Sequence, residues 1–393
     1  MGIRRINWLY FALLLALTGA VPAPAQQPGG RSLKQALDAA CADAGIPGCV
    51  VLLDYPDGSR EAAAWGVSDL ERGTPMETGD LLRAGSITKT YMAVLALRLE
   101  QEGYFSLDDR AADYVGPDSS YLELALEPEA VTIRQLLGHQ SGVPDTLAQL
   151  RDAVPWLLDI FDGDGQIRSS LPQLAGDGEP FAPGEGCRYT NTGFIVAGNV
   201  MQAAAGRELA VLLYHNVLAP LGLEDTYYAA TEKTPPQARG YILTEGEFAD
   251  VTLFDRAELA GAAGAMLVNA DDLADFGRGL FGAAAAGGHP ATTAEEGQAP
   301  TGLADGWSAL LTRQQLDELT SFHEMEGGSE YGLGLFRTTI GGREAWGHSG
   351  ATVGYRAEMW YFPDTGVIAV ALANAGRAPL KRIIEAALNS EGF

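Results

Sequence analysis

The segment that decides the fold lies near the C-terminus, where residues 331–374 read YGLGLFRTTIGGREAWGHSGATVGYRAEMWYFPDTGVIAVALAN. Short runs of aromatic and β-branched residues recur along it, which is the composition of β-strands. A glycine pair and a Pro-Asp-Thr-Gly sequence separate some of these runs and predict tight turns. We therefore predict consecutive strands at about 331–339, 344–348, 355–362 and 367–374.

The N-terminal part of the chain has the same character. Ser32 and Gln35 form a capping pattern at the start of an amphipathic helix. Residues 48–55 and 62–68 then predict two strands around a Pro-Asp-Gly turn. At the opposite end, apolar residues within 380–388 recur at helical spacing and predict a last amphipathic helix.

The part of the chain between these ends differs from them. Residues about 105–250 read mainly as helix and loop. We therefore predict an α/β fold of the α+β kind, with one antiparallel sheet formed by both termini and covered by helices, and an inserted mainly helical region. A stretch rich in Ala, Gly, Thr and Pro at about 281–305 predicts a flexible surface loop.

Residues 1–25 predict a signal peptide. Two arginines precede an apolar stretch at 8–21, and Ala-Pro-Ala at 23–25 offers a small-residue cleavage site. The apolar stretch is shorter than the roughly 18–20 residues of a spanning helix, so an uncleaved anchor is the less favoured alternative. We expect a periplasmic or secreted protein whose single domain occupies residues 26–393, with no membrane insertion after cleavage.

The composition argues against several partners. The chain has 51 acidic and 26 basic residues, and its net charge of −25 becomes −27 without the leader, which carries two arginines and no acidic residue. Such a field repels nucleic acid. No CxxC motif or His-Cys cluster suggests a metal, and we expect no cofactor. In an oxidising compartment Cys41 and Cys49 could close a short disulfide loop, which would leave Cys187 free.

The strongest chemical signal is Gly-Ser-Ile-Thr-Lys at residues 85–89, which opens an apolar run. Ser86 lies where a helix is expected to begin, so the positive end of the helix dipole would favour an anion beside it. Lys89 lies three residues later on the same helix face, within reach of the Ser86 hydroxyl. A Ser-x-x-Lys sequence alone is common in structural helices, so this interpretation needs support from other motifs.

Two further motifs supply that support. Tyr189 could relay a proton beside a lysine, because each group perturbs the pKa of the other, and Asn191 could donate an amide hydrogen bond to a substrate carbonyl. The third motif is His-Ser-Gly-Ala at residues 348–351, at the end of a predicted strand. Gly350 would allow close backbone approach there, and an outward N–H group could complete an oxyanion hole.

In this order the three motifs resemble those of the penicillin-recognising serine enzymes, the family of penicillin-binding proteins and serine β-lactamases. The flanking sequences RAGSITKT (83–90), TIRQLLGHQSGVPD (132–145) and PGEGCRYTNTG (183–193) resemble that family as well. The resemblance runs from about Ser32 to the C-terminus. It is strongest for the branch of D-alanyl-D-alanine carboxypeptidases, alkaline D-peptidases, related esterases and class C β-lactamases, and it implies their β-lactamase/transpeptidase-like fold.

The resemblance also implies an acyl-enzyme mechanism. Ser86 would attack an acyl carbonyl, with Lys89 acting as the base or as the partner of Tyr189. Tyr189 would protonate the leaving group and later activate the water that releases the acyl-enzyme. The backbone N–H groups of Ser86 and Ala351 would bind the oxyanion.

The substrate would be a small acyl compound, namely a D-amino acid peptide, an ester or a β-lactam. His348 and Ser349 would shape a subsite for its carboxylate. Class C β-lactamases usually carry lysine at the position of His348, and a neutral imidazole offers less fixed charge than an ammonium group. This difference favours a D-peptidase or an esterase over a β-lactamase.

Three functions thus remain open: a D-alanyl-D-alanine carboxypeptidase, D-peptidase or esterase; a class C-like β-lactamase; and a non-catalytic muropeptide-binding sensor. A sensor would be expected to lack at least one motif residue, and all of them are present. His139, in the segment between the first two motifs, is interpreted as a packing or hydrogen-bonding residue.

Overall fold

One large antiparallel sheet organises the chain. A computed structural model describes residues 32–116, 121–145, 181–235, 237–285 and 310–392. The strands within these residues are β1 (Gly48–Asp54), β2 (Arg60–Asp69), β3 (Thr74–Pro75), β4 (Leu82–Arg83), β5 (Tyr227–Tyr228), β6 (Tyr241–Thr244), β7 (Glu247–Asp250), β8 (Met266–Val268), β9 (His323–Glu324), β10 (Glu330–Tyr331), β11 (Phe336–Ile340), β12 (Arg343–Ala351), β13 (Arg356–Phe362) and β14 (Val367–Ala373). The large sheet has the order β3-β2-β1-β14-β13-β12-β11-β10-β9.

Helices cover the sheet on both faces. Those of the described residues are α1 (Leu33–Ala44), α2 (Thr88–Gln101), α3 (Ala112–Val115), α4 (Ile133–Leu137), α5 (Asn191–Ala205), α6 (Leu209–Leu213), α7 (Ala219–Leu221), α8 (Ala257–Ala260), α9 (Ala270–Ala285), α10 (Arg313–Leu319) and α11 (Leu380–Ser390). None of them is long and apolar enough to cross a membrane.

The strands β1 and β14, which are the first and the last along the sequence, pair with each other inside the large sheet. β1 and β14 are antiparallel, with a register that runs from Cys49 opposite Ala373 to Asp54 opposite Ile368. Every residue of both strands is buried, which explains why they read as continuous apolar runs rather than alternating ones. The prediction of one antiparallel sheet formed by both termini is therefore confirmed.

The core is divided between the two faces of this sheet. On one face α1 and α11 pack their apolar sides against β1, β13 and β14. On the other face α2 is buried almost all round, because it lies between the sheet and the helices α5 and α6. Tyr91 of α2 stacks on Phe276 of α9 with ring centroids 3.7 Å apart. Each such side chain contributes roughly 1.5–3 kcal/mol through burial.

The prediction of one continuous strand at 331–339 is wrong, because the structure has two strands there, β10 and β11, with a break between them. The chain leaves the sheet after β10 and re-enters it at β11, and Gly334 between them has a left-handed φ of +68°. A Cβ atom on Gly334 would lie 2.7 Å from the carbonyl oxygen of Lys89, and Thr90 donates a 2.7 Å hydrogen bond to the Gly334 carbonyl. The bend therefore serves a close contact with α2, which local sequence does not reveal.

Other sequence predictions fall partly outside the described residues. The mainly helical region at 105–250 contains the expected helices, and also the short hairpin of β6 and β7. Residues 281–285 of the predicted loop complete α9, and the rest of the predicted loop lies outside the described residues, as do residues 1–25.

The three cysteines are free thiols. Cys41 and Cys49 are fully buried, and their side chains are hydrogen-bonded to each other, so the two residues are neighbours as the predicted disulfide requires. That hydrogen bond and burial hold the pKa of Cys49 well above its ordinary value. The disulfide that Cys41 and Cys49 could close is not formed in this structure, and Cys187 is free as well.

Asp54, at the end of β1, joins the sheet to the helical layer through charge. Its fully buried carboxylate accepts a 2.7 Å hydrogen bond from Arg60 of β2 and two hydrogen bonds from Arg278 of α9. Asp54→Asn would remove the buried carboxylate that these two guanidinium groups share, so we expect the free energy of unfolding to fall by about 3 kcal/mol. Denaturant titration measures this change.

The matched control is Asp38→Asn, because the Lys34–Asp38 pair on α1 is largely exposed. A pair of this kind contributes less than about 1 kcal/mol. Equal losses in the two variants would contradict a structural role specific to Asp54.

Candidate active site

The Ser86 turn is held against the end of β12. Residues Gly85–Ile87 form a 3₁₀ turn, and α2 begins only at Thr88, so the helix starts two residues later than the sequence predicts. Gly85 has a φ of +52°, and a Cβ atom there would lie 2.7 Å from the backbone nitrogen of Ala351. Thr88 fixes the turn by donating a 2.7 Å hydrogen bond to the Gly85 carbonyl.

Lys89 is fully buried, and its ammonium nitrogen has three oxygen partners. Nζ lies 3.1 Å from Ser86 Oγ, 2.8 Å from Asn191 Oδ1 and 2.8 Å from the carbonyl oxygen of Ala263. Burial lowers the pKa of Lys89 to about 7, and the negative charge of Asp145 opposes part of that shift. A large fraction of the side chain is therefore a neutral amine near neutral pH.

The geometry determines what the neutral amine does with its lone pair. A neutral amine has two hydrogens, and both Asn191 Oδ1 and the Ala263 carbonyl can only accept. When the two hydrogens bind these oxygens, the lone pair faces Ser86 Oγ at 3.1 Å. The arrangement can take a proton from the serine hydroxyl.

Asp145 fixes the orientation of the Asn191 amide, and sequence reasoning did not single it out. Asn191 Nδ2 donates a 2.9 Å hydrogen bond to Asp145 Oδ2, which turns Oδ1 towards Lys89. Asn191 was predicted to donate a hydrogen bond to a substrate carbonyl. In the structure the same amide nitrogen already donates to Asp145. Only the TIRQLLGHQSGVPD segment, which ends at Asp145, pointed to this part of the chain.

Tyr189 is the third group of the site. Its side chain lies beside that of Ser86, and Lys89 Nζ lies 4.8 Å from the centre of its ring. Burial raises the pKa of the phenol above its ordinary value, so Tyr189 remains protonated at neutral pH and can donate. The hydroxyl and the amine of the first motif and the phenol of the second motif thus meet in one place.

His139 packs against the second motif, in contact with Tyr189 and Thr190. It is fully buried with a φ of +60°, and its ring lies 4.3 Å from that of Tyr189. The backbone N–H of Thr190 donates a 3.2 Å hydrogen bond to His139 Nδ1, which places the ring proton on Nε2. Burial holds the pKa of His139 well below its ordinary value. The interpretation of His139 as a packing and hydrogen-bonding residue agrees with these contacts.

The end of β12 lies directly beside the Ser86 turn. Its pairing with β11 ends at Gly347, and residues 349–351 continue past the turn. A Cβ atom on Gly350 would lie 1.8 Å from the carbonyl oxygen of Ala84 and 3.3 Å from the backbone nitrogen of Ser86. Only glycine fits at this position, and the backbone of residues 350–351 therefore reaches Ser86.

His348 lies beneath the site rather than in its opening. The ring is buried, and Nδ1 lies 2.6 Å from the Ser349 carbonyl, which can only accept, so Nδ1 carries the proton. Nε2, 3.2 Å from the Tyr331 hydroxyl, is then the acceptor. Burial, reinforced by the charge of Lys89, lowers the pKa of His348 to about 3. Both ring nitrogens of His348 are thus engaged within the protein, and its part in shaping a carboxylate subsite stays a prediction.

Comparison with known proteins agrees with this geometry. A family model described as Beta-lactamase matches residues 33–390. The chain belongs to the beta-lactamase family. Members of this family include serine hydrolases, and the mixed fold of helices and antiparallel sheet is that of β-lactamases and penicillin-binding proteins.

Individual relatives have different activities. Penicillin-binding protein 4 of Amycolatopsis lactamdurans is 27% identical over 341 residues, covering 85% of this chain and 82% of the relative. Esterase EstB of Burkholderia gladioli is 34% identical over 173 residues, covering 43% and 44% of the two chains. Among solved structures, a D-stereospecific amidohydrolase from Streptomyces sp. matches with a TM-score of 0.71 and 28% identity, covering 90% of this chain and 97% of that one.

No metal centre accompanies this beta-lactamase-type site in the part of the chain that the structure describes. There, no group of three or more His, Cys, Asp or Glu residues could hold a metal ion. The structure places a hydroxyl, an amine and a phenol at the site, next to the backbone of β12.

Replacing Asp145 tests its positioning role. In Asp145→Ala the Asn191 amide loses the acceptor that orients it, so we expect the rate of Ser86 labelling by a fluorophosphonate to fall about tenfold or more. Loss of the carboxylate also removes a charge that raises the pKa of Lys89. Labelling of Ser86 is expected to become faster as the pH rises and Lys89 loses its proton. In Asp145→Ala this rise should therefore occur at lower pH than in the wild type.

The exposed Asp113→Ala variant is the control for loss of one negative charge. An unchanged pH dependence of labelling for Asp145→Ala, or a shift to higher pH, would contradict the assignment.

Proposed function

We propose that this chain is a serine hydrolase that forms an acyl-enzyme on Ser86 and cleaves amide or peptide bonds of D-amino acids. The observation that carries the proposal is the position of Lys89 Nζ, 3.1 Å from Ser86 Oγ, with carbonyl-type oxygens accepting from its other side. A buried lysine with a pKa of about 7 is suited to general base catalysis near neutral pH.

Acylation follows from the hydrogen-bond network. The neutral Lys89 takes the Ser86 proton as the hydroxyl oxygen attacks the substrate carbonyl carbon. The backbone N–H groups of Ser86 and Ala351 bind the oxyanion. Tyr189 donates its proton to the leaving nitrogen or oxygen and regains one from the Lys89 ammonium through the shared network. The leaving group departs as a neutral amine or alcohol, and the acyl group remains on the serine.

Deacylation reverses these proton transfers with water as the nucleophile. Water attacks the acyl carbonyl, and its proton passes to the pair formed by Lys89 and Tyr189. Collapse of the second tetrahedral intermediate returns a proton to Ser86 Oγ and releases the acid. No cofactor takes part.

Several observations support a D-amino acid derivative as the substrate. The D-stereospecific amidohydrolase from Streptomyces sp. aligns with nearly the whole chain. The neutral His348 leaves the third motif without the cation that class C β-lactamases usually carry, which favours a D-peptidase or an esterase over a β-lactamase. A non-catalytic muropeptide sensor has no need for a base aligned with a serine hydroxyl.

The predicted leader implies export, so we propose that the enzyme acts in the periplasm or outside the cell. Peptides that contain D-amino acids have the amide bonds that such an enzyme would cleave. Esters of small acids are the second candidate substrate, supported by the 34% identity to esterase EstB over part of the chain.

A substrate panel tests the proposal. D-alanine amide, L-alanine amide, p-nitrophenyl acetate and nitrocefin are compared with the wild type and with Ser86→Ala. We expect D-alanine amide to be hydrolysed in preference to its L-enantiomer, and Ser86→Ala to lose at least about a thousandfold in kcat/KM. Mass spectrometry should find a fluorophosphonate adduct on Ser86.

Rapid nitrocefin turnover without amide hydrolysis would replace the proposal with a β-lactamase. If p-nitrophenyl acetate were the one compound hydrolysed, the esterase alternative would hold. Absence of any adduct on Ser86 from several acylating probes would leave the sensor.

The pKa of Lys89 makes a prediction for pH. Below about pH 7 the Lys89 side chain is an ammonium group, which has no lone pair to accept the Ser86 proton. The rate of acylation should therefore rise as the pH increases through 7 and then level off. The raised pKa of the Tyr189 phenol keeps its proton in place, so the plateau should extend to about pH 10. Rates of fluorophosphonate labelling measure this profile. An apparent pKa near that of an ordinary lysine would contradict the assignment of Lys89 as the base.

A further inference from the structure

A hydrogen-bonded pair of buried side chains, Tyr331 of β10 and His348 of β12, lies beneath the candidate active site and has no part in the mechanism described above. Tyr331 Oη lies 3.2 Å from His348 Nε2. On the other side of the imidazole ring, His348 Nδ1 lies 2.6 Å from the backbone carbonyl oxygen of Ser349. One imidazole ring thus connects a phenol to the backbone of the third motif.

Neighbouring aromatic rings hold Tyr331 in place. Its ring centroid lies 4.5 Å from that of His139, and 4.6 Å from that of Phe336 with the two planes at 82°. Aromatic pairs in such edge-on and tilted arrangements attract each other. Tyr331 is also paired with Phe336 through the backbones of β10 and β11, and it has no exposed surface. The Tyr331 hydroxyl therefore has a fixed position relative to the His348 ring.

The two contacts of the His348 ring determine where the protons lie. A carbonyl oxygen can only accept, so Nδ1 carries the proton and donates to Ser349. Burial lowers the pKa of His348 to about 3, so the ring is neutral near neutral pH and Nε2 is an acceptor. Burial also holds the pKa of Tyr331 well above its ordinary value, so the phenol keeps its proton and donates it to Nε2. The other tautomer would place a lone pair of Nδ1 against the Ser349 oxygen at 2.6 Å.

The Ser349 carbonyl lies where β12 has a paired strand on one side only. Pairing with β11 ends at Gly347, whereas pairing with β13 continues to Ala351. Backbone groups of alternate residues face the same side of a strand, so those of Ser349 and Ala351 share one side. Gly350 between them has no side chain to restrict its φ and ψ. The hydrogen bond from His348 therefore restrains the peptide unit next to the one that carries the Ala351 N–H.

We infer that Tyr331 is a positioning residue for the oxyanion site. Its hydroxyl fixes the tautomer of His348, and His348 in turn fixes the peptide of Ser349 and with it the N–H group of Ala351. The inference rests on the proposed function, because it takes the Ala351 N–H as an oxyanion donor. It gives His348 a role through backbone geometry, and it gives Tyr331, which lies outside the three motifs, a role through His348.

Removal of one hydroxyl group tests the inference. Tyr331→Phe keeps the aromatic ring and deletes the donor to His348 Nε2. We expect the rate of Ser86 labelling by a fluorophosphonate to fall about three- to tenfold, which corresponds to one buried hydrogen bond. Tyr241→Phe is the matched control, because Tyr241 is buried and its hydroxyl accepts a 2.8 Å hydrogen bond from the Leu70 N–H, just after β2. An unchanged rate in Tyr331→Phe, or an equal loss in Tyr241→Phe, would overturn the positioning role.

Nitrogen NMR of protein with isotope-labelled histidine reads the tautomer without a substrate. The chain has five histidines, and the signals of His348 are those that disappear in His348→Asn. We expect the ring proton on Nδ1 in the wild type and a mixture of the two tautomers in Tyr331→Phe. A wild-type ring with its proton on Nε2, or an unaltered spectrum of His348 in Tyr331→Phe, would contradict the inference.

Two substitutions of His348 separate the roles of its two nitrogens. Asparagine places an amide nitrogen near the position of Nδ1, and glutamine places one near the position of Nε2. We expect His348→Asn, which retains a donor to Ser349, to be labelled about three- to tenfold faster than His348→Gln. In the His348→Asn background, Tyr331→Phe should change the rate by less than about twofold, because the asparagine does not depend on the Tyr331 hydroxyl.

The outcomes separate the positioning role from the proposed function. Equal labelling of His348→Asn and His348→Gln, or a full effect of Tyr331→Phe in the His348→Asn background, would overturn the positioning role and leave the proposed function intact. A wild-type protein that acquires no adduct on Ser86 would overturn the proposed function and the positioning role with it.

Discussion

The burial of one amine is the constraint on which the site depends. Lys89 has no exposed surface, and an ionised or even a neutral amine is costly to bury unless its hydrogens and lone pair find partners. Those partners are Ser86 in the preceding turn, Asn191 at the start of α5 and the Ala263 carbonyl before β8. Satisfying one nitrogen therefore brings together three parts of the chain that lie far apart in the sequence, and the same contacts align the lone pair with Ser86 Oγ.

The sheet and its glycines supply the remaining geometry. Gly350 brings the edge of β12 against the Ser86 turn, and Gly85 relieves the turn of a side chain that would strike Ala351. Gly334 lets the segment before β11 lie against α2. At each of these contacts the backbones are too close for any Cβ atom. The positions of the backbone N–H groups at the site thus follow from packing, and a larger residue at Gly85 or Gly350 would separate β12 from the Ser86 turn, the two elements that we propose bind the oxyanion.

The distribution of charge shapes the expected chemistry as much as the identity of the motifs. His348 is neutral and has both ring nitrogens engaged, so the third motif contributes hydrogen bonding and shape but no cation. Asp145 places a negative charge near Lys89 and limits how far burial lowers its pKa. Within a family of one fold and one nucleophile, these differences in charge are a physical basis for differences in substrate.

The sequence by itself determined the strands of both termini, the helix behind Ser86 and the order of the three motifs, because periodicity and short-range spacing are local properties. It predicted the proximity of Ser86 and Lys89 from their spacing along one helix face, and it associated Tyr189 with them through family resemblance, since nothing local connects residues a hundred positions apart. Only the tertiary structure decided the orientation of Asn191 by Asp145 and the buried, neutral state of His348. Those properties depend on which groups surround a side chain and exclude water from it, and no local pattern encodes that environment.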